Sequence, residues 1–415
     1  MVYSMKVLFI AQPFPYPPNT GSRNLIYHWL EAASRAHDVH LLWIGDRAEG
    51  SNQIPELPGV SIGCIQVLPT QEISARIRRL AMAVVRGIPP TSLVGMSGAT
   101  RGEILRKVRK GGYEVVVLTE NVVAGYASLL APLVPVVLFK HSVQAVDARD
   151  ARRSFGMWHP RWILEEWMVR RFEARSLDAA TVVCTVNSED VADLTQRYPV
   201  AKSAEVVPIG VDLSKFPRRE RDPGGQVVGF FGNITWGANL DAARWFINEI
   251  LPKVWQTFPS AQFRIIGPGS ENVVPGKRDL RIVCQGSSHI PSAMKDATVG
   301  VVPVISGTGV RLKLLEMLSL GVPVVTTELG ALGTGCVHGE HALISDDADS
   351  FAAAIIGLLG DAELRQKLVR AGWELIQMHS WESSYPRILD VIEEAASTRR
   401  TYTVKARASA AQEAS

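Results

Sequence analysis

The segment SGTGVRLKLLEMLSLGVPVV places charged side chains among residues that otherwise belong in a protein core. Gly307 and Gly309 precede a predicted helix, where free backbone N–H groups favour an anion and the missing side chains let a ligand approach. Arg311 and Lys313 add two cations at the helix start, and cations there gain most when a polyanion is bound. Glu316 offers two acceptor oxygens, which suit the vicinal hydroxyls of a ribose. The pattern therefore favours a site for a nucleoside diphosphate.

The same helix also has a purely structural interpretation. Its spacing puts Lys313, Glu316 and Ser319 on one face and the leucines on another. Thr308 is the predicted helix cap, and Arg311 is predicted in the first turn. Lys313 and Glu316 would then form an exposed ion pair, which contributes roughly a few tenths of a kcal/mol. This segment by itself leaves both interpretations open.

Two further candidates end apolar segments closer to the N-terminus. His141 ends VPVVLFKH and Glu120 ends YEVVVLTE, so both are expected at the ligand-binding edge of a parallel sheet. A histidine in this place serves either chemistry or a structural hydrogen bond. Asn187, which follows TVVCTV, is explained equally well as a helix cap.

Continuous apolar runs predict the strands that must position these residues. The runs are MKVLFIAQ, DVHLLWIG, VSIGCIQVLP, YEVVVLTE, VPVVLFKH and AATVVCTVN in one series, and QVVGFFGN, AQFRIIGPG, LRIVCQG, VGVVPV, VPVVTT and HALISDD in a second. Apolar runs that alternate with helical segments indicate parallel sheets covered on both faces. The proline-, glycine- and charge-rich segment VVPIGVDLSKFPRRERDPGGQ separates the two series. The sequence therefore predicts an α/β protein with two doubly wound domains.

The predicted boundaries follow from these series. They give a first domain over residues 1–215, a second over 216–385, a helix over 386–396 that crosses back to the first domain, and a disordered tail over 397–415. Open α/β sheets bind ligands at the carboxyl ends of their strands. We therefore expect the functional site in a cleft between the two domains.

Composition excludes several classes of protein. The chain has 415 residues, of which 47% are hydrophobic, and a net charge of +3 that gives no support for nucleic-acid binding. Its four cysteines form no CxxC pair, so we expect no zinc site and a reducing, cytoplasmic compartment. The first apolar run is too short for a membrane span and is expected to be a strand. DDAD at Asp346–Asp349 is interpreted as a helix cap rather than a metal site.

Two basic segments are candidates for contact with the inner face of a membrane. They are ISARIRRLAMAVVRG and RRSFGMWHPRWILEEWMVRRFEARS, in which arginines alternate with apolar residues and, in the second, tryptophans. The alternative is an ordinary helix whose tryptophans pack inward, and for the second segment we prefer it.

The segment GTGVRLKLLEMLSLGVPVVTTELGALG, together with VVGFFGNITWGANLDAARWFINEILPKVWQTFPSAQFRIIGPG and VVPIGVDLSKF, resembles the nucleotide-sugar-binding half of GT-B glycosyltransferases. More narrowly, it resembles the retaining enzymes of family 4 (glycosyl transferases group 1), in a subgroup with a glycine, threonine, arginine and lysine pattern. The resemblance extends over about residues 5–390 and is more specific in the second domain. It implies two Rossmann-like domains facing a central cleft, with the acceptor bound mainly by the first and a nucleotide-diphospho-sugar donor mainly by the second.

The resemblance also assigns roles in the second domain. Glu316 matches the second glutamate of the family's paired-glutamate motif, which binds the donor ribose. The first glutamate would fall on Thr308 and is missing, so N–H groups of the neighbouring glycines would have to bind the sugar hydroxyls. The arginine and lysine that the family often carries after the VVGFFGN strand are missing as well. Their cationic role therefore moves to Arg311 and Lys313.

The resemblance also gives an expected place to five residues outside the segment GTGVRLKLLEMLSLGVPVVTTELGALG. Gly21, in PFPYPPNTGSRN, matches a glycine loop that approaches the donor phosphate or the acceptor, although an ordinary proline-rich turn is the alternative. Arg23 would guide an anionic acceptor or cap a surface loop. A histidine at the position of His141 lies near the donor sugar. Asn233 would contact the donor or cap the next helix, on which Trp236 is expected to pack.

The implied function is a retaining hexosyltransferase that moves a sugar from a nucleotide-diphospho-sugar to a glycan or lipid-linked acceptor, in cell-surface polysaccharide synthesis. The expected residues are His141, Arg311 and Lys313 for catalysis, Gly21, Asn233, Gly307, Thr308, Gly309 and Glu316 for the donor, and Arg23 and Glu120 for the acceptor. No metal or other cofactor is expected, because the nucleotide sugar is a co-substrate. A nucleotide-sugar epimerase or hydrolase on the same frame, and a non-catalytic binding protein, stay open. A nicotinamide dehydrogenase is disfavoured, since neither domain has GxGxxG after its first strand.

Overall fold

The protein is described from a computed structural model. It describes residues 4–18, 20–45, 58–66, 97–155, 157–199, 204–273, 279–286, 289–307 and 309–413, together with residues 81, 84–85, 87–89 and 92. The chain divides into two compact units. One unit is Met1–Pro208 with Ser384–Ser415, and the other is Ile209–Ser383.

The first unit is built on a parallel sheet. Its strands are Lys6–Ala11 (β1), Asp38–Gly45 (β2), Val60–Gln66 (β3), Val115–Thr119 (β4), Val136–Phe139 (β5), Val182–Thr185 (β6) and Ala204–Val206 (β7). In the described part of the chain they run in the order β3-β2-β1-β4-β5-β6-β7. Every residue of β4, β5 and β6 is buried, which is what the continuous apolar runs predict for a sheet covered on both faces.

Helices connect these strands. They are Gly21–Ser34 (α1), Gly98–Gly111 (α2), Ala127–Leu130 (α3), Gln144–Phe155 (α4), Pro160–Ala179 (α5) and Ser188–Arg197 (α6), with a 3₁₀ turn over Ala124–Tyr126. Asn187 caps α6, because its Oδ1 accepts the N–H of Asp190 at 2.6 Å. The explanation of Asn187 as a helix cap is therefore confirmed.

The second unit repeats the architecture. Its strands are Val227–Phe231 (β8), Gln262–Ile266 (β9), Ile282–Gln285 (β10), Val299–Val302 (β11), Val324–Thr326 (β12) and Leu343–Ile344 (β13). Among the described residues they form a parallel sheet in the order β10-β9-β8-β11-β12-β13. Two parallel sheets with helical connections confirm the predicted α/β class.

The remaining helices follow in chain order. They are Gly237–Trp245 (α7), Leu251–Thr257 (α8), Ile290–Ala293 (α9), Leu312–Ser319 (α10), Glu328–Ala331 (α11), Ala348–Gly360 (α12), Ala362–Met378 (α13) and Trp381–Glu413 (α14), with a π-helical turn over Phe246–Ile250 and a 3₁₀ turn over Ser270–Asn272. Asp347 caps α12 by accepting the N–H groups of Asp349 and Ser350, so the DDAD segment forms a cap as expected. No helix in the described ranges has both the length and the apolar composition needed to cross a membrane.

From Ser384 onward, α14 belongs to the first unit. Its Ile388, Val391 and Ile392 are buried, and the Tyr385 hydroxyl donates to Glu31 of α1 at 2.7 Å. The structure differs from the prediction of a disordered tail over 397–415, since α14 continues to Glu413. Residues 397–413 contain four alanines and three arginines, which have high helix propensity.

Candidate functional site

The turn between β11 and α10 carries the glycines of the predicted diphosphate site. Gly307 and Gly309 have φ of +92° and +81°, a left-handed conformation that glycine adopts without strain. The turn delivers the chain into α10, whose Leu314, Leu315 and Leu318 are buried beneath it. Apolar packing of one face thus fixes the helix and leaves its start beside the glycines.

Two predictions about this helix need correction. Arg311 occupies the N-cap position instead of the first turn, while Thr308, the predicted cap and donor-binding residue, lies outside the described residues. Ser319 does not share an open face with Lys313 and Glu316. It is buried and donates to the Phe216 carbonyl at 2.6 Å. Six residues along an α-helix turn through about 600°, so Ser319 lies about 120° around the axis from Lys313 and faces the core.

Arg311 packs against the glycine turn. Its side chain is buried, and one guanidinium N–H donates to the Ser306 carbonyl at 3.2 Å. A Cβ added at Gly307 would stand 3.3 Å from the same guanidinium nitrogen, so glycine makes room for the cation. The structure therefore brings together Arg311 and Gly307 as the sequence predicts.

Lys313 is held by a residue that the sequence analysis missed. Its Nζ donates to Asn239 Oδ1 at 2.5 Å and lies 4.7 Å from the centroid of the Phe230 ring. A Cβ at Gly232 would stand 3.0 Å from Nζ, so the end of β8 also depends on glycine here. Asn239 is in turn fixed by donating to the Asn233 carbonyl at 2.8 Å. The ammonium group is thereby held at one place near the end of β8.

Burial changes the proton affinity of this pair. It lowers the pKa of Lys313 to about 7, and the nearby charge of Arg311 acts in the same direction. Burial likewise raises the pKa of Glu316 to about 7, opposed by Lys313. Both side chains are half-buried, so the interpretation as an exposed ion pair is wrong. An acidic and a basic group whose pKa values are both strongly shifted are typical of functional sites, where a ligand supplies the missing counter-charge.

Asn233 has a structural task in the turn after β8. Its Oδ1 accepts the backbone N–H of Thr235 at 3.0 Å and the Thr235 hydroxyl at 2.6 Å. Its carbonyl fixes Asn239, as described above, so it supports Lys313 indirectly. The expectation that Trp236 packs on the next helix is wrong, because 55% of this side chain is exposed at the N-cap of α7.

Gly21 and Arg23 lie in the first unit at the start of α1. Gly21 is the first residue of the helix, and the N–H of Arg23 points to the Thr20 hydroxyl oxygen at 3.5 Å. Thr20 thus caps the helix that follows β1. The predicted glycine loop therefore leads into the first turn of α1, which is compatible with Gly21 approaching either the donor phosphate or the acceptor.

His141 and Glu120 contact each other. His141 Nδ1 lies 3.1 Å from Glu120 Oε2, and these residues follow the ends of β5 and β4. Glu120 is buried and has a φ of +104°, a positive value that no other non-glycine residue has in the described part of the chain. Such backbone strain costs about 1–3 kcal/mol and is concentrated at functional sites. The pair is therefore built into the edge of the sheet, with His141 partly open to solvent.

A buried ion pair next to this contact was also missed. Lys140 Nζ lies 2.9 Å from Glu173 Oε1 and donates to Asn121 Oδ1 at 2.5 Å. Glu173 further accepts the N–H groups of Gln144 and Ala145 and the Tyr198 hydroxyl, which satisfies a carboxylate that has lost its water. Because Asn121 follows Glu120 and Lys140 precedes His141, the network fixes both strand ends that carry the pair.

A signal for the missed residues exists in the sequence. Asn239 precedes Ala242, Ala243 and Phe246 at helical spacing, so a polar residue stands on an apolar face. Glu173 is likewise a polar residue on an apolar helix face, between Val169 and Leu177. A polar side chain on a buried helix face must find a partner, and here the partners are lysines.

Two family models match this chain. The model described as Glycosyltransferase Family 4 matches residues 20–215, and the model described as Glycosyl transferases group 1 matches residues 225–361. The chain is 29% identical over 218 residues to a phosphatidyl-myo-inositol mannosyltransferase of Mycolicibacterium smegmatis, covering 49% of this chain and 56% of that protein. A D-inositol 3-phosphate glycosyltransferase of Acidothermus cellulolyticus is 37% identical over 106 residues, covering 25% of this chain and 23% of the relative. The match thus spans little more than half the length of the mannosyltransferase.

Solved structures agree in fold. Sucrose-phosphate synthase from Thermosynechococcus elongatus superposes with a TM-score of 0.71 at 16% identity, covering 95% of this chain and all of that one. HepE of Anabaena, solved in complex with UDP and glucose, gives a TM-score of 0.69 at 13% identity, covering 94% and 100%. At this identity the likeness concerns the fold, which is GT-B. With both halves matched by their family models, the chain belongs to the family 4 glycosyltransferases of GT-B fold.

Proposed function

We propose that this protein is a retaining hexosyltransferase that transfers a sugar from a nucleotide-diphospho-sugar to a glycan or lipid-linked acceptor. The observation that carries the proposal is the Lys313 ammonium group, which Asn239 holds beside Gly232 at the end of β8. A cation is held there at the expense of its hydration, so its position favours a strongly anionic ligand. The names of the mannosyltransferase relatives specify a lipid acceptor, which supports the lipid-linked alternative and a role in cell-surface polysaccharide synthesis.

The second unit would stabilise the departing diphosphate. Breaking the bond between the sugar and the diphosphate leaves negative charge on the phosphate oxygens, and preorganised cations and N–H groups lower the free energy of that state. Arg311, Lys313 and the backbone at Gly307 and Gly309 would take this role. Glu316 would accept hydrogen bonds from the ribose hydroxyls. In the first unit His141, oriented by Glu120, would position the groups around the donor sugar.

A panel of nucleotide sugars and candidate lipid-linked acceptors tests the proposal, with nucleotide release as the measurement. We expect release from one donor that depends on an acceptor, and its loss in Lys313→Ala and Glu316→Ala. Release without an acceptor would indicate a hydrolase instead. Binding of a donor without any release would indicate a non-catalytic binding protein. No release from any donor, with unchanged binding in the two variants, would refute the proposal.

Metal independence is part of the proposal. The charge on the diphosphate can be balanced by Arg311 and Lys313, which act where a divalent cation acts in other transferases. We expect EDTA to leave the transfer rate unchanged within about twofold. A rate that EDTA abolishes and Mg²⁺ restores would contradict this point and leave the transfer reaction itself intact.

A further inference from the structure

The connection between α4 and α5 and the first half of α5 expose large apolar side chains. Trp158 is 83% exposed, Met157 49% and Trp167 46%, while Ile163 and Leu164 are each 39% exposed. This overturns the preference for inward-packed tryptophans in the segment RRSFGMWHPRWILEEWMVRRFEARS. We call these five residues, together with Arg152, Arg161, Arg170 and Arg171, the basic-aromatic surface.

Packing of the first unit's core does not explain why these apolar side chains are exposed. Helix α5 already packs with another face, on which Met168, Phe172 and Leu177 are buried. Ile163, Leu164 and Trp167 form a second stripe at helical spacing on its first half, directed to solvent. Single exposed apolar residues are ordinary, but a continuous exposed stripe with tryptophans is typical of an interaction surface.

Arginines surround the apolar stripe. Arg152, Arg170 and Arg171 line a groove of about 430 Å³ together with Ile163, Trp167 and Glu166. Glu166 lies 3.1 Å from Arg152 Nε and 4.0 Å from one Arg170 nitrogen, so a single carboxylate faces three guanidinium groups. The Arg171 guanidinium also lies 5.6 Å from the centroid of the Trp167 ring. The groove therefore carries excess positive charge next to apolar surface.

The first basic segment, ISARIRRLAMAVVRG, contacts the same helix. Arg175 of α5 donates to the Gly87 carbonyl at 2.8 Å, and Gly87 ends the segment ISARIRRLAMAVVRG. Val85 is 85% exposed. Most other residues of that segment lie outside the described residues. The end of one arginine-rich apolar segment therefore lies against the other.

We propose that the basic-aromatic surface binds an anionic lipid membrane. Tryptophans prefer the boundary between headgroups and acyl chains, and guanidinium groups bind lipid phosphates in pairs of hydrogen bonds. Ile163 and Leu164 add apolar area that a membrane would bury. A surface of this kind lies on the membrane without spanning it. The inference goes beyond the proposed transfer reaction and stands on the exposed residues, whichever donor the protein uses.

Flotation with lipid vesicles tests this proposal. We expect the full chain to bind vesicles of phosphatidylglycerol and phosphatidylcholine far better than vesicles of phosphatidylcholine. Arg170→Gln with Arg171→Gln should weaken binding by about thirtyfold, since each basic residue contributes about 1 kcal/mol near an anionic surface. Trp158→Ala with Trp167→Ala should weaken it by at least about tenfold and abolish the blue shift of tryptophan emission that vesicles cause.

Matched variants keep the result interpretable. Arg170→Lys with Arg171→Lys should retain most of the binding, because it keeps the charge. Trp236→Ala, which removes an exposed tryptophan from the second unit, should bind vesicles like the wild type. Circular dichroism checks that each variant is folded. Equal binding to both kinds of vesicle, no binding, or unchanged binding in both double variants would overturn the proposal. Vesicle binding needs no sugar donor, so its failure is distinct from failure of the proposed transfer.

Discussion

At the scale of single residues, Lys313 meets two opposing demands. Its place on α10 withdraws the ammonium group from water, which lowers its pKa to about 7, while a diphosphate would favour the protonated form. Binding of the nucleotide should therefore be coupled to protonation. The same reasoning applies with opposite sign to Glu316, whose pKa burial raises to about 7 and which would bind ribose hydroxyls as a carboxylate.

This coupling gives the first prediction. Above pH 7 the free protein has mostly neutral Lys313, so the nucleoside diphosphate selected by the donor panel must bind with uptake of a proton there. We expect the contribution of Lys313 to affinity to fall by up to about tenfold per pH unit above pH 7. Calorimetry in buffers of different ionisation enthalpy measures the proton uptake. The wild type should take up more protons than Lys313→Met.

Lys313→Arg is the matched control, because arginine keeps its charge throughout this range. It should bind without the proton uptake assigned to Lys313. In Lys313→Met the pKa of Glu316 rises further, because the opposing charge of Lys313 is lost. Its larger proton release then adds to the lower net uptake expected for that variant, whereas Lys313→Arg keeps a charge at this position. Identical uptake in wild type and Lys313→Met would show that another group titrates.

Glu120 and His141 give the second prediction. If the Glu120 carboxylate acts by orienting the imidazole, Glu120→Gln should lower kcat by about 10–100-fold with donor affinity retained. His141→Ala should do the same. In the His141→Ala background, Glu120→Gln should then have little further effect, because the residue it orients is gone. Steady-state kinetics of the two single variants and the double variant measure this. Fully additive losses would mean that Glu120 acts independently, for example on the acceptor.

Site residues could be predicted from the sequence where they lie close to one another in the chain. Arg311, Lys313 and Glu316 could be named because glycines and a helical pattern surround them within a few positions. Asn239 could not be paired with Lys313, since 74 residues separate them and their contact depends on how β8 and α10 pack. The strain at Glu120 is likewise a property of the folded backbone, which residue type does not reveal.

At the scale of elements, the buried ion pair between β5 and α5 determines where the strand ends lie. Lys140 and Glu173 are both almost inaccessible to solvent. The strands were predictable because short continuous apolar runs are typical of buried strands. The ion pair was not predictable, because Lys140 follows a strand and Glu173 lies in the middle of a helix that is distant in the chain.

This pair gives the third prediction. Glu173→Gln removes the counter-charge of a buried lysine, and we expect a loss of roughly 3–5 kcal/mol in the free energy of unfolding. Urea denaturation measures it. Glu103→Gln is the control, since its ion pair with Arg106 is on the surface of α2 and should contribute less than about 1 kcal/mol. A loss under 1 kcal/mol in Glu173→Gln would show that Lys140 finds water or another partner.

At the scale of the whole molecule, the first unit is assembled from both ends of the chain. The fourth prediction concerns Ile392 of α14, which is fully buried. Ile392→Ala should reduce stability by roughly 2–5 kcal/mol through loss of apolar burial and an unfilled cavity. Ile305→Ala, at a half-exposed position, should cost much less. Urea denaturation of both variants measures this.

Hydrogen exchange locates the effect within the molecule. In Ile392→Ala the amides of β1 and α1 should exchange faster, because Tyr385 of α14 contacts α1 through Glu31 and His28. Amides of β8 and β11 should be unchanged. Faster exchange confined to β8 and β11 would contradict the division of the chain into these two units.

The division also sets an order of assembly during synthesis. The ribosome delivers Ile209–Ser383 as one continuous stretch, so the second unit can fold as soon as it has emerged. The first unit is made earlier but lacks its last helix until Ser384 and the residues after it arrive. A nascent chain of this protein therefore completes its second unit before its first, and during that interval the side chains of α1 that await α14 are open to chaperones.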